Sequence, residues 1–409
     1  MPAGDLTFVR DGRREYSVFE YDPRWLERDG AFAVSPDLPL ARGHVARRAP
    51  TEHDSPFPFA LADSEPDAWG RRVIARAHAR RRAREPALAP LTRFDYLAAV
   101  DDASRIGALR LRDEHGTFLR SEDAHRTPPL VDLGAIHGAA RAVEQGTESE
   151  ADLNYLQGKA TSLGGLRPKC TVLEEDGTLA IGKFPSVADT RSIPRGEVLA
   201  LALMERAGLA PARARIVVAA GTPIAVIRRF DRTPDGARIH YLSGGSLLLA
   251  RRDEDRAYTE IAYALRRVGS DPAADVQLLW RRLVFNLLVT NVDDHLWNLG
   301  FLYAGNGLWR LAPAFDVNPF PDRLAESKTW LSEDTGPVTS LEQLFLAAPA
   351  FGYARADAEL QAARIAHAVS GWREVAVSGA VGLRESELAD FAAAFEHDAA
   401  RAARALSRG

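Results

Sequence analysis

The stretch that most limits the fold runs from Val276 to Tyr303. Its first part, VQLLWRRLVFNLLVT, is apolar on nearly every face of a helix, so it has to lie inside a core. It passes without a linker into NVDDHLWNLGFLY, which places two Asn, two Asp and one His between Asn291 and Asn298. Polar side chains this dense, directly after so apolar a helix, are held where a core ends and a cleft can begin. Asp293, His295 and Asn298 have the spacing D-x-H-x-x-N. In phosphoryl transfer from ATP, an aspartate orients the attacking hydroxyl and accepts its proton, and an asparagine five positions on holds Mg²⁺ from the same loop. The pair alone would equally suit Asp and Asn capping a loop, so its neighbours decide.

Downstream, Gly307 to Leu311 reads as a strand, and APAFDVNPF then places Asp316 where a second metal-binding carboxylate belongs. Two carboxylates and an amide can coordinate Mg²⁺ bridging two phosphates. The FDVNP that contains Asp316 lacks the glycine of a kinase D-F-G, so the switch mechanics of that motif do not carry over. Upstream, SLGGLRPKC, Ser162 to Cys170, is a loop entering a strand. Gly164 and Gly165 permit close backbone approach to phosphate, and Lys169 adds charge. AIGKFP then sets Lys183 on a strand, with Glu197 on a helix fourteen residues later as its candidate partner. Only four of the 52 basic residues are lysine: Lys159, Lys169, Lys183 and Lys328. A position that keeps lysine in such a chain needs a compact ammonium in place of a planar fork, which singles out Lys169 and Lys183.

These motifs sit in a readable order. FVRDGRREYSVFEY predicts a β-hairpin, AWGRRVIARAHARRRAR a helix ending before Pro86, RFDYLAAV a second helix, and Gly107 to Leu111 a short strand. CTVLEEDGTLAIGKF and RIVVAAGTPIAVIRRF each predict two strands, the second pair turning at Gly221-Thr222-Pro223, with a helix over Gly196 to Gly208 between them. Helices follow over Ala274 to Thr290, Asp357 to Val369 and Glu385 to Leu406, the last with Leu388, Phe391, Phe395 and Ala399 along one stripe. A composition of 46% hydrophobic and 26% charged residues is that of a chain folded throughout. A net charge of −4 gives no global attraction for nucleic acid. The seven arginines of RRVIARAHARRRAR form a local basic face, read as mainly solvated. The charged N-terminus and the short apolar stretches predict no membrane segment, and the single Cys170 fits a reducing, cytoplasmic setting.

Taken together, SLGGLRPK, IGKFPS, GEVLALALMERAGL, VIRRFDR, YLSGGSLL, LVFNLLVTNVDDHLWNLGFL and LAPAFDVNP resemble, in order, the signature segments of the HipA-like kinases. ADSEPDAWGRRVI and DYLAAVDDASRIGALR are similar to that family's N-terminal subdomain. The resemblance implies an α+β chain with a two-lobed protein-kinase-like fold, an extra N-terminal α/β subdomain and an all-helical C-terminal lobe. The expected divisions are 1–125, 126–230 and 231–409, with the first boundary somewhere in 125–155. It implies Asp293 as catalytic base, Asn298 and Asp316 as Mg²⁺ ligands, and Gly164, Gly165, Lys169 and Lys183 around ATP. Arg228, Arg229 and Phe230 would border the adenine, with Arg229 and Asp231 also readable as a structural ion pair. His295 would orient the catalytic loop or serve the structure alone, and Ser162 would be an autophosphorylation site that silences the enzyme. The implied activity is that of a protein serine/threonine kinase toxin acting on a housekeeping protein, often an aminoacyl-tRNA synthetase in the family. The implied partner is a HipB-like helix-turn-helix antitoxin, with operator DNA reached only through that complex. A small-molecule phosphotransferase and a non-catalytic nucleotide-binding subunit of a DNA-bound repressor complex are the alternatives.

Overall fold

The computed structural model describes residues 1–12, 14–51, 53–120, 132–157 and 167–406. Ser162, Gly164 and Gly165 lie outside the described residues. The chain opens with the expected hairpin, β1 (Gly4–Asp11) and β2 (Arg14–Tyr21), to which β3 (His44–Arg48) adds antiparallel along β2. Phe19, Tyr21 and Trp25 close a small core beneath it. The helix Ala68–Arg84 begins at Asp67, whose Oδ1 accepts the Gly70 N–H at 2.6 Å. Its buried residues Trp69, Val73 and Ala77 pack with the helices Leu133–Gln145 and Glu150–Gln157 against the sheet that follows. Its basic face is not simply solvated, because Arg76 and Arg80 meet Glu148 and Arg84 meets Glu150.

The segment Gly107 to Leu111, expected as a strand, pairs with no strand. Its polar backbone is spent elsewhere. The Gly107 N–H donates to Asp231 Oδ2 at 2.7 Å, and the Gly107 carbonyl accepts from Arg232 at 3.3 Å. Extended chain here docks onto the link between the lobes instead of joining a ladder.

The second sheet holds β4 (Lys169–Leu173), β5 (Leu179–Lys183), β6 (Ala214–Ala219) and β7 (Thr222–Arg228), in the order β4-β5-β7-β6 and all antiparallel. Asp176 turns the first hairpin by accepting from the Thr178 N–H at 3.0 Å, with Gly177 at φ 78°. The second hairpin turns at Ala220-Gly221, one step earlier than the sequence predicted, so Thr222 and Pro223 already belong to β7. Alternation along β7 sorts its side chains: Ile224 and Val226 face the helices named above, whereas Ala225 and Ile227 face the helix Ile193–Arg206 and the main core.

That main core surrounds the helix Pro272–Leu288, which supplies Trp280, Leu283, Val284, Phe285, Leu287 and Leu288. The C-terminal lobe is helical in its bulk. It also holds two small sheets, β8 (Tyr241–Ser243), β9 (Gly300–Gly305) and β10 (Leu308–Leu311) in the order β10-β9-β8, and the pair β11 (Trp330–Ser332) and β12 (Gly336–Pro337). These sheets brace the loops that leave the central helix. The expected long helix from Glu385 to Leu406 is broken into Ala389–Phe395 and Asp398–Ala405, because Glu396 leaves helical geometry and is held by Trp372 Nε1 and Arg373. Its apolar stripe still functions: Phe391 and Phe395 are buried, and a Cβ on Gly196 would come within 2.8 Å of the Phe391 ring.

Candidate active site

A cleft of about 470 Å³ lies between the two lobes and is also lined by the N-terminal unit. It contains Lys169, Lys183, Asp293, His295, Asn298 and Asp316 together, residues spread over nearly 150 positions of sequence. Lys183, at the end of β5, places its Nζ 2.6 Å from Glu197 Oε1 and 2.7 Å from Asp316 Oδ1. The Glu197 pairing suggested by spacing is therefore formed. Burial disfavours the Lys183 ammonium, but Asp316 and Glu197 outweigh it and raise its pKa. Burial pushes Glu197 up against the pull of Lys183, while Asp316, also opposed by burial, is held low by Lys183 and Lys169. The site thus keeps a fixed cation between two carboxylates.

Asp316 has φ 55°, a left-handed backbone conformation rare for a residue with a side chain. The strain is sustained by the loop around it: Asn318 N–H donates to Asn291 Oδ1 at 3.1 Å, and Asn291 N–H donates to the Asn286 carbonyl at 2.8 Å. Asn291 ties the loop of Asp293 to the loop of Asp316. Its role was hidden in the sequence, where it reads only as the polar residue after the helix. Asn298 spends its amide on the Asp293 carbonyl at 2.8 Å, which leaves Oδ1 as the oxygen a metal would take. The buried Asn318 Oδ1, two residues from Asp316, has no hydrogen-bond partner among the described residues. Hard oxygen donors of this kind, with an unmet acceptor beside them, fit Mg²⁺.

His295 lies half-buried with Nε2 3.9 Å from Asp293 Oδ1, and burial lowers its pKa, so it faces the cleft as a neutral ring. The neighbouring Trp297 packs over Gly245, where a Cβ would lie 2.6 Å from the ring, which accounts for the glycine pair in YLSGGSLL. Lys169 is buried, with Nζ 3.3 Å from Asp67 Oδ2. It belongs to the cleft wall, joined to the N-terminal unit. At the link between the lobes, Arg229 donates to Asp231 at 2.6 and 2.8 Å and to the carbonyls of Ser104 and Arg105. The structural ion pair is present, and all three guanidinium nitrogens of Arg229 are engaged. Arg228 meets Asp176 at 3.3 Å, and the Phe230 ring lies 5.4 Å from that of Phe315.

Asp294 was passed over in the sequence, yet it is the buried centre of the loop. It accepts the Tyr258 hydroxyl at 2.8 Å and the Lys328 N–H at 2.7 Å. Burial pushes its carboxyl up to about 6 against those hydrogen bonds. An unfolded aspartate titrates near roughly 3.9, so as pH rises from 4 to 6 the unfolded chain sheds a proton that the folded chain keeps. Stability falls across that window. Asp294→Asn should flatten the decline in melting temperature between pH 4 and 6, whereas a slope unchanged from wild type would show that Asp294 does not carry it.

A family model described as the HipA-like C-terminal domain matches residues 161–373, and one described as the HipA N-terminal domain matches residues 1–112. The Sinorhizobium fredii protein named "Putative kinase Y4mE" is 27% identical over 319 residues, covering 73% of this chain and 71% of its own length. Its namesake "Putative kinase Y4dM" from the same organism is 36% identical over 94 residues, 22% of each chain. A chain from the HipA, HipB and operator DNA complex of a Shewanella oneidensis MR-1 toxin–antitoxin system covers 99% of this chain and 95% of its own, with a TM-score of 0.67 and 17% identity. That likeness is one of fold, along the whole described chain. Among the described residues, no helix is long and apolar enough to cross a membrane.

Proposed function

Since the chain belongs to the HipA-like family, we propose that it is a Mg-ATP-dependent protein serine/threonine kinase, the toxin of a type II toxin–antitoxin system. The observation that carries this reading is the ion-paired set Glu197, Lys183 and Asp316, facing Asp293 and Asn298 across one cleft. Lys183 holds the α- and β-phosphates of ATP, kept in place by Glu197. Asn298 and Asp316 would hold Mg²⁺, which supplies neutralisation of charge between the β- and γ-phosphates. Asp293 orients the acceptor hydroxyl and takes its proton. Arg228, Arg229 and Phe230 contribute backbone and ring to the wall beside the adenine. The acceptor is a protein, in keeping with an N-terminal unit that adds Asp63, Glu65, Arg71 and Arg93 to the lining of the cleft. A housekeeping protein such as an aminoacyl-tRNA synthetase is the proposed target, and a HipB-like antitoxin the proposed partner, operator DNA being reached through it. Autophosphorylation of Ser162, two positions before the pair Gly164 and Gly165 in the sequence, is the proposed means of self-inhibition, in the cytoplasm.

Radiolabelled ATP added with the purified protein to a dialysed cell lysate should label discrete proteins, with phosphoserine or phosphothreonine in their hydrolysates. Label found only in small metabolites would replace this reading with that of a small-molecule phosphotransferase. In calorimetry, Asp316→Ala should lose Mg²⁺-dependent ATP binding while its circular dichroism spectrum stays that of wild type. Unchanged Mg-ATP affinity would remove Asp316 from the site.

A further inference from the structure

The cation nearest the candidate base comes from a distant segment that no sequence motif marks. Lys328 Nζ forms an ion pair with Asp293 Oδ1, and its side chain is 53% exposed. An exposed pair of this kind is ordinarily worth little and carries no function. The backbone beneath it is what sets this one apart. Lys328 N–H donates to the buried Asp294 at 2.7 Å, and Thr329 Oγ1 donates to the Asp294 carbonyl at 2.9 Å. Ser327 N–H reaches the Val338 carbonyl at 3.1 Å, and Ser327 Oγ accepts from Val338 N–H at 2.7 Å. Trp330 N–H is taken by the Arg256 carbonyl at 3.0 Å. Lys328 and Thr329 are thereby fastened to the loop that carries Asp293, Ser327 and Trp330 are held on either side by Val338 and Arg256, and the flexible stem of Lys328 is the part left to move.

We propose that Lys328 is a further catalytic residue, whose ammonium passes from Asp293 to an oxygen of the γ-phosphoryl group during transfer. The inference rests on the kinase reading above. In the step, the acceptor oxygen forms a bond to the γ-phosphorus as the bond from that phosphorus to the β–γ bridging oxygen breaks. The electron pair leaves with ADP, and the hydroxyl proton goes to Asp293. While Lys328 stays on Asp293, that carboxylate oxygen is occupied. Once a phosphoryl group stands in front of it, the ammonium has a more highly charged partner within reach of its stem, and its departure frees Asp293. Lysine suits this exchange because three donors on a compact head can serve two partners in turn, whereas a guanidinium fork locks onto one. The residue keeps lysine in a chain where 4 of 52 basic residues do so.

The test compares wild type, Lys328→Gln, Lys328→Arg and Asp293→Asn as full chains, with Mg²⁺, labelled ATP and dephosphorylated casein or water as acceptor. Lys328→Gln should lower kcat by roughly 10²–10³-fold, the usual cost of one preorganised donor to developing charge. KM for ATP and calorimetric Mg-ATP affinity should stay at wild-type values, and Lys328→Arg should restore part of the rate. Wild-type kcat in Lys328→Gln, or a loss confined to KM for ATP, would overturn the proposal while the kinase reading stands. No label transferred by wild type above Asp293→Asn would overturn the kinase reading itself, and this inference with it.

Discussion

Asp293→Asn should slow phosphoryl transfer by roughly 10²–10⁴-fold, the contribution of a positioned general base. The substitution keeps the size of the side chain and removes its charge, hence its ability to take a proton and the exposed ion pair with Lys328. The anchor of the loop survives it, because Asn298 is bonded to the backbone carbonyl of residue 293 and not to its carboxylate. Asp294, which holds the loop from inside through Tyr258 and Lys328, is untouched as well. The thermal melt of the variant should therefore overlay that of wild type, and Mg-ATP affinity should persist, so the loss is one of rate. Growth inhibition on expression should vanish with it. A radiolabelled-ATP assay that found near-wild-type transfer would show that the proton goes elsewhere and that the loop assignment is wrong.

A second large effect is expected far from any phosphate. Arg282 is buried on the core side of the helix Pro272–Leu288 and donates to the carbonyls of Leu209 at 3.0 Å, Ala210 at 2.8 Å and Ala312 at 2.9 Å. Burial pushes its pKa down to about 9, which still leaves it charged at neutral pH. Those three carbonyls belong to the two segments that meet beneath Asp316: Ala314 N–H donates to Ala210 O at 3.0 Å, and Ala212 N–H to Ala314 O at 2.8 Å. Arg282→Ala strands the carbonyls of Leu209 and Ala312 in the core, while that of Ala210 keeps the Ala314 N–H. At about 1–3 kcal/mol for each of these two unsatisfied buried groups, with water recovering some, the fold should lose about 2–4 kcal/mol. Urea denaturation measures this, and ATP binding should weaken in the same variant as the Asp316 loop loosens. A destabilisation below about 1 kcal/mol would mean that the carbonyls are satisfied without the guanidinium.

Arg282 also shows where sequence legibility ends. In VQLLWRRLVFNLLVT it looks like an interruption of a hydrophobic pattern, because its three partners are carbonyls, and every residue has one. The same limit hid Asn291, which works by accepting an N–H from Asn318, and Lys328, which works by returning to a loop thirty-odd positions earlier. Features set by side-chain type at short range were legible: the hairpin around Asp176-Gly177, the helix entered at Asp67, and Lys183, Asp293, Asn298 and Asp316 in order. Errors came where tertiary contacts overrode a local pattern. Gly107 to Leu111 has the alternation of a strand, but its backbone bonds to Asp231 and Arg232. The stripe from Leu388 to Ala399 has the period of one helix, but Glu396 is drawn out of it by Arg373 and Trp372.

The docking of residues 102–107 onto the inter-lobe link bears on how the chain can be divided. Arg229, Arg232 and Arg238 all send guanidinium donors into the carbonyls of Asp102, Ala103, Ser104 and Arg105, and Asp231 takes the Gly107 N–H. Asp231 neutralises only part of the charge that Arg229, Arg232 and Arg238 bring together, and those carbonyls take up the remaining donors; with the carbonyls gone, buried guanidinium donors would be left unmet. The N-terminal unit is thus a splint bound across the joint, and excising the two lobes without it would strip these guanidinium groups of those carbonyl acceptors. Any rotation of one lobe on the other would have to strain the splint too, so a wider or narrower cleft is a matter for all three parts at once.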